Sequence, residues 1–140
     1  MFSHVTVGAS DLERAGAFYD AVLIPLGLGR REVEPDGGPP ALCWVSPHRA
    51  FPMFFVFEPY DGRAARAGNG AMVSFIAPSR EALDRAYAAG LAAHGSDEGP
   101  PGPRPHYAPD YYGAYMRDPD GNKICLVHRP SLERFGAAAE

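Results

Sequence analysis

The sequence predicts an α+β fold of two β-α-β-β-β modules in a pseudo-twofold arrangement. Its second half repeats its first at an offset of 68 residues: Val5 falls on Val73, Ala9 on Ala77, Glu13 on Glu81, Tyr19 on Tyr87, Leu23 on Leu91 and Gly27 on Gly95. Each copy opens on an alternating apolar–polar strand that runs into a helix start, and then carries strand-like runs separated by Gly- and Pro-rich turns. A period this long, present twice, describes two facing copies of one unit, since a solenoid needs three or more repeats to bury its core. Equivalent positions in the two copies are therefore where a shared site is expected.

In the first module (1–60), residues 2–9 read as a strand with Val5 and Val7 on one face and His4, Thr6 and Gly8 on the other. Ser10-Asp11-Leu12-Glu13 has the form of a capping box, with Ser10 as the cap. The helix runs to about Leu23 on a stripe of Leu12, Ala15, Phe18, Tyr19 and Val22, and Pro25 and Gly27 end it. Strands are expected over 29–34, 40–46 and 52–58, and residues 61–70 form the linker.

The second module (71–130) repeats the order. A strand is expected over 71–77, then a helix capped by Ser79 that runs to about His94, with Leu83, Tyr87 and Leu91 on its buried face. Prolines make a strand within 96–104 short or irregular, whereas 111–117 is a clear one. Asp118-Pro119-Asp120-Gly121-Asn122 is a turn, and 123–129 closes the sheet. Pro59 matches Pro130 at an offset of 71, which implies a three-residue insertion within 99–105. Residues 131–140 are a C-terminal tail to one compact domain.

At 140 residues the chain is long enough to bury a core. Its net charge of -4 argues against nucleic acid or an anionic membrane as partner, since both reward a basic face. No apolar run approaches the roughly 18 residues that a span requires. The N-terminus enters strand sequence directly, so no signal peptide is expected and the chain reads as cytoplasmic. Cys43 and Cys125 form neither a metal-motif spacing nor a disulfide framework and read as reduced thiols.

His4-Val5-Thr6-Val7, Asp11-Leu12-Glu13-Arg14 and Phe18-Tyr19 in the first copy carry a resemblance, as do Ala93-His94-Gly95 and Asp118-Pro119-Asp120-Gly121-Asn122 in the second. Together they resemble the vicinal-oxygen-chelate superfamily of glyoxalase I, bleomycin-resistance proteins and extradiol dioxygenases, over nearly the whole chain. The resemblance implies paired βαβββ modules whose curved sheets form a cup-shaped mixed sheet with the helices outside. It also implies a homodimer joined through sheet edges.

Metal-binding members take one ligand from the first strand and one from the last strand of each module. Carried over, these positions are His4, Phe54, Met72 and Cys125, with Cys125 where glutamate is usual. Only His4 suits a hard divalent metal. The degenerate set implies no ordinary metal site and no cofactor, which disfavours glyoxalase and dioxygenase chemistry.

A soft ion, Cu(I) or Zn(II), suits His4, Met72 and Cys125, although Met and Cys more simply line a cavity. Cys125 beside His4 is a candidate nucleophile, with an inert thiol as the plainer reading. Tyr111 and Tyr115 face one side of their strand and Tyr112 the other. Such aromatic walls suit a flat ligand, and cross-strand packing explains them equally well. Arg104 and His106 are candidates to meet an anionic substrate group from the Pro-rich loop.

The favoured reading is a metal-free protein that binds a small aromatic or apolar molecule between the modules. Trp44, Tyr112 and Tyr115 stack on the ligand, His4 and Ser74 supply polar contacts, and Phe54, Met72 and Cys125 complete the lining. The alternative is a lyase, isomerase or dioxygenase of the glyoxalase type, with His4 as its candidate catalytic group.

Overall fold

The computed structural model describes residues 1–132, so most of the tail expected over 131–140 lies outside the described residues. The chain runs β1 (His4–Gly8), α1 (Leu12–Leu23), β2 (Gly29–Arg31), β3 (Ala41–Val45), β4 (Met53–Phe57), β5 (Met72–Ile76), α2 (Arg80–Ala92), β6 (Ser96–Pro103), β7 (Tyr112–Arg117) and β8 (Lys123–His128), then a 3-10 turn at Pro130–Leu132. This is the α+β class with two βαβββ modules. Each module carries its own four-stranded mixed sheet, ordered β1-β4-β3-β2 and β5-β8-β7-β6. β1 lies parallel to β4 and β5 to β8, and the remaining pairs are antiparallel.

Both helices start at side-chain caps, but α1 starts one residue later than its capping box implies. Asp11 is the cap, accepting from the Arg14 amide at 3.0 Å. Ser10 is thereby free for other work: its Oγ accepts from the Ala65 amide at 2.7 Å, and its own amide donates to Asp120 Oδ1 at 3.0 Å. Ser79 caps α2 as expected. On α2 the buried face is Ala82, Leu83, Ala86, Tyr87 and Gly90. Leu91 is 38% exposed, because eight residues at 3.6 per turn carry it about 80° round the helix from Leu83.

One core joins the modules through their helices and the helix-facing sides of both sheets. Phe54 meets Tyr19 at 4.9 Å and, across the module boundary, stands edge-on to Phe75 at 5.0 Å. The helices touch at Gly90, where an added Cβ would lie 2.8 Å from Val22 Cγ2. A polar clasp sits beside this core. Asp118, almost wholly buried, accepts from the Tyr19 hydroxyl at 2.7 Å, from Asn122 Nδ2 at 2.8 Å and from the amides of Asp120 and Asn122. Asn122 Nδ2 also donates to the Gly8 carbonyl at 2.9 Å. The turn over 118–122 thus binds β1 and α1 of the other module.

The insertion in the second copy differs from the expected one. Val5 and Trp44 both pair with Phe54, whereas Val73 and Met116 both pair with Ile124. The offset is therefore 68 at the first strand, 72 at the third and 70 at the fourth. The second copy gains four residues before β7 and loses two in the turn before β8. β6 forms despite Pro100, Pro101 and Pro103, with register shifts between Asp97 and Gly99 and between Gly99 and Gly102. Each missing proline amide removes a ladder donor there.

Candidate functional site

Strand alternation gives each sheet one face against the helices and one open face. On the first sheet the open face carries His4 and Thr6 of β1, Met53, Phe55 and Phe57 of β4, and Cys43 of β3. On the second it carries Met72, Ser74 and Ile76 of β5, Lys123, Cys125 and Val127 of β8, and Tyr115 of β7. Thr6 and Phe55 are thus the counterparts of Ser74 and Cys125.

The first open face is roofed on one side. His4, Met53, Phe55 and Phe57 floor a groove of about 670 Å³ whose wall is the 33–40 loop, including Glu34 and Pro39. It shares Phe57, Asp36 and Pro39 with a second hollow of about 600 Å³ that reaches Thr6 and Arg66. The His4 ring lies edge-on to Phe55 at 5.6 Å, and its Nδ1 is 3.0 Å from Ser3 Oγ. This leaves an imidazole edge on an aromatic floor, with carboxylates in the surrounding wall.

The second open face is a phenol–thiol network. The Tyr111 hydroxyl lies 3.0 Å from that of Tyr115 and 3.5 Å from Cys125 Sγ. Burial, then the Cys125 contact, push the Tyr111 hydroxyl well above the ordinary phenol range; burial raises Tyr115 as well. Cations flank the rings: Lys123 Nζ is 5.6 Å and Arg104 Cζ 6.0 Å from the Tyr115 centroid, and Arg129 Cζ is 5.7 Å from that of Tyr111. Met72 and Lys123 also border a hollow of about 530 Å³ beside the linker.

Of the residues singled out from sequence, His4, Met72, Ser74, Tyr115 and Cys125 stand on open faces. Trp44, Phe54 and Tyr112 do not. Trp44 is fully buried, its Nε1 donating to Asp20 Oδ1 at 3.0 Å. Phe54 is a core residue, and Tyr112 turns to α2, donating to Asp84 Oδ1 at 2.7 Å. For Phe54 the cause is register: the side-chain period of a strand is two, so an offset read as 71 instead of 70 moves the Cys125 counterpart from Phe55 to Phe54 and onto the wrong face. Phe55, Phe57 and Lys123 were missed for the same reason or for want of a motif. The Pro-Asp-Gly-Gly-Pro-Pro run at 35–40 was the available signal for the groove wall.

Within one chain His4 and Cys125 do not meet. Ser3 and Phe55 neighbour His4, while the Cys125 thiol contacts Tyr111. Among the described residues no three His, Cys, Asp or Glu side chains converge as metal ligands. One imidazole, one thioether and one buried thiol do not fit a hard divalent ion, which requires several oxygen or imidazole donors.

No helix among the described residues is long and apolar enough to cross a membrane. The chain matches the family model described as the Glyoxalase/Bleomycin resistance protein/Dioxygenase superfamily over residues 1–126. It is 45% identical to a glyoxalase/bleomycin resistance protein from Albidiferax ferrireducens, covering 93% of this chain and 99% of that one at a TM-score of 0.78. A glyoxalase-related enzyme from Fulvimarina pelagi shares the fold at 19% identity, TM-score 0.68, covering 93% and 88%. A lactoylglutathione lyase from Agrobacterium tumefaciens does so at 22%, TM-score 0.59, covering 91% and 92%. No curated protein matches the chain. Its two βαβββ modules, the open sheet faces they present and the match over residues 1–126 place the chain in the glyoxalase/bleomycin resistance protein/dioxygenase superfamily.

Proposed function

We propose that this protein binds a small aromatic or apolar molecule without a metal ion. The observation that carries the reading is the groove on the first open face, where His4 is the polar edge of a floor otherwise built from Met53, Phe55 and Phe57. An apolar aromatic surface with few polar groups suits a flat ligand oriented by one or two hydrogen bonds. The donor set described above supports metal-free binding.

A second copy of the chain completes the site in this reading. Each open face is half a cavity, and the second leaves Met72 46% and Ile76 73% exposed. Glu34, Asp36, Glu58 and Asp61 outnumber Arg63 and Arg66 along the first face, while Lys123, Arg104 and Arg129 surround the second. That charge complementarity favours the first face of one copy against the second face of the other.

A second reading, acid–base chemistry at His4, is supported by the Ser3 Oγ contact that orients the ring. Metal analysis and a thermal-shift screen of aromatic metabolites separate the cases, since a ligand of the native state raises its melting temperature. The expected result is protein free of stoichiometric metal and stabilised by aromatic compounds, with the shift reduced in Phe55→Ala. One equivalent of divalent metal, lost on His4→Ala, would overturn the proposal.

A further inference from the structure

The second open face adds a polar feature that the binding reading does not use. Tyr111, Tyr115 and Cys125 hold three transferable protons, and two hydrogen-bond contacts link them. Two protons satisfy those contacts, and where Tyr111 donates to one neighbour and accepts from the other the third is left at an end of the chain. Cys125 is fully buried whereas Tyr115 is half-buried, so the spare donor belongs to the Tyr115 hydroxyl. That ordering also has the strong donor Tyr111 bonded to oxygen and the weak thiol donating to Tyr111.

Cations are gathered at the same ring. Lys123 and Arg104 both lie over Tyr115. Arg104 is held there by the Pro100 carbonyl at 2.8 Å and the Pro103 carbonyl at 3.3 Å. Neither cation has a carboxylate within 4.0 Å among the described residues, whereas Arg14, Arg30 and Arg117 do. The raised phenols of Tyr111 and Tyr115 stay protonated near neutral pH and remain donors.

We infer that this face binds the carboxylate of an aromatic or apolar acid, with the Tyr115 hydroxyl as hydrogen-bond donor and Lys123 and Arg104 as its positive surroundings. The inference rests on the binding reading, with its second copy, and narrows it: the ligand is an organic anion whose ring lies on the aromatic floor of one copy and whose carboxylate meets Tyr115 of the other.

The test is calorimetric titration of the full-length protein with benzoate and with its uncharged isostere benzamide. A charge-assisted hydrogen bond implies benzoate binding about tenfold or more tighter than benzamide. Lys123→Met and Tyr115→Phe are each expected to lower the benzoate-over-benzamide ratio severalfold, Tyr115→Phe weakening both probes because the benzamide carbonyl accepts from the same hydroxyl, and Lys123→Arg to retain most of the preference. Melting temperatures of the variants confirm that each is folded. Benzamide binding as tightly as benzoate, or a preference untouched by both substitutions, sinks the carboxylate site while the cavity reading stands. Failure of both probes to bind overturns the cavity reading and this inference together.

Discussion

Tyr19 and Asp118 show how much one residue pair carries. Their hydrogen bond crosses from the first helix to the turn before the last strand, inside the protein. Tyr19→Phe removes one donor from a buried carboxyl, and urea unfolding should show a loss of about 1–3 kcal/mol. The pH dependence has a definite sign. Burial holds the Asp118 carboxyl above its ordinary 3.8 despite the bonds from Tyr19 and Asn122. An acid raised in the folded state contributes fully below its unfolded value, and that contribution is lost as pH rises through the folded one. Asp97, held low by the Tyr87 hydroxyl and the Gly99 amide, acts oppositely: its contribution is present above 3.8 and fades as pH falls through its depressed value. Asp118→Asn keeps the shape but cannot ionise. The melting-temperature advantage of the native protein over this variant should shrink between about pH 4 and pH 7; an advantage that grows would contradict the assignment.

The fourth strand separates two adjacent phenylalanines by function. Phe54 lies between Tyr19, Trp44 and Phe75, so Phe54→Ala should cost about 3–5 kcal/mol. Phe55, half-buried on the open face, should cost less than half of that and instead weaken ligand binding. Equal costs for the two would show the register to be wrong. At the helix crossing, Gly90 admits Val22 and the end of Met116. Gly90→Val forces branched atoms into both and should destabilise by about 1–3 kcal/mol, measured by thermal unfolding. Helix faces of this kind were legible in the sequence wherever the stripe was short. They failed at Leu91, where the 3.6-residue period had drifted off the buried face.

At the scale of the whole molecule, the chain buries the helix side of both sheets in one core and covers the open faces only in part, by the 33–40 loop on the first and by Tyr111 against Cys125 on the second. The proposed pairing predicts two copies per particle in sedimentation equilibrium. Ile76→Asp, at an exposed open-face position, should yield single copies that still melt cooperatively. A native protein that sediments as a single copy at high micromolar concentration would refute the pairing.

The sequence alone determined the two modules, their helices and the inner face of the first strand, because repeats, caps and periodicity act over a few residues. Tertiary structure decided the rest: which of Phe54 and Phe55 looks outward, the clasp of Asp118 on Tyr19, and the loop that walls the His4 groove. Loop lengths carry no periodic signal, yet a single residue gained or lost in one reverses every side chain of the strand that follows.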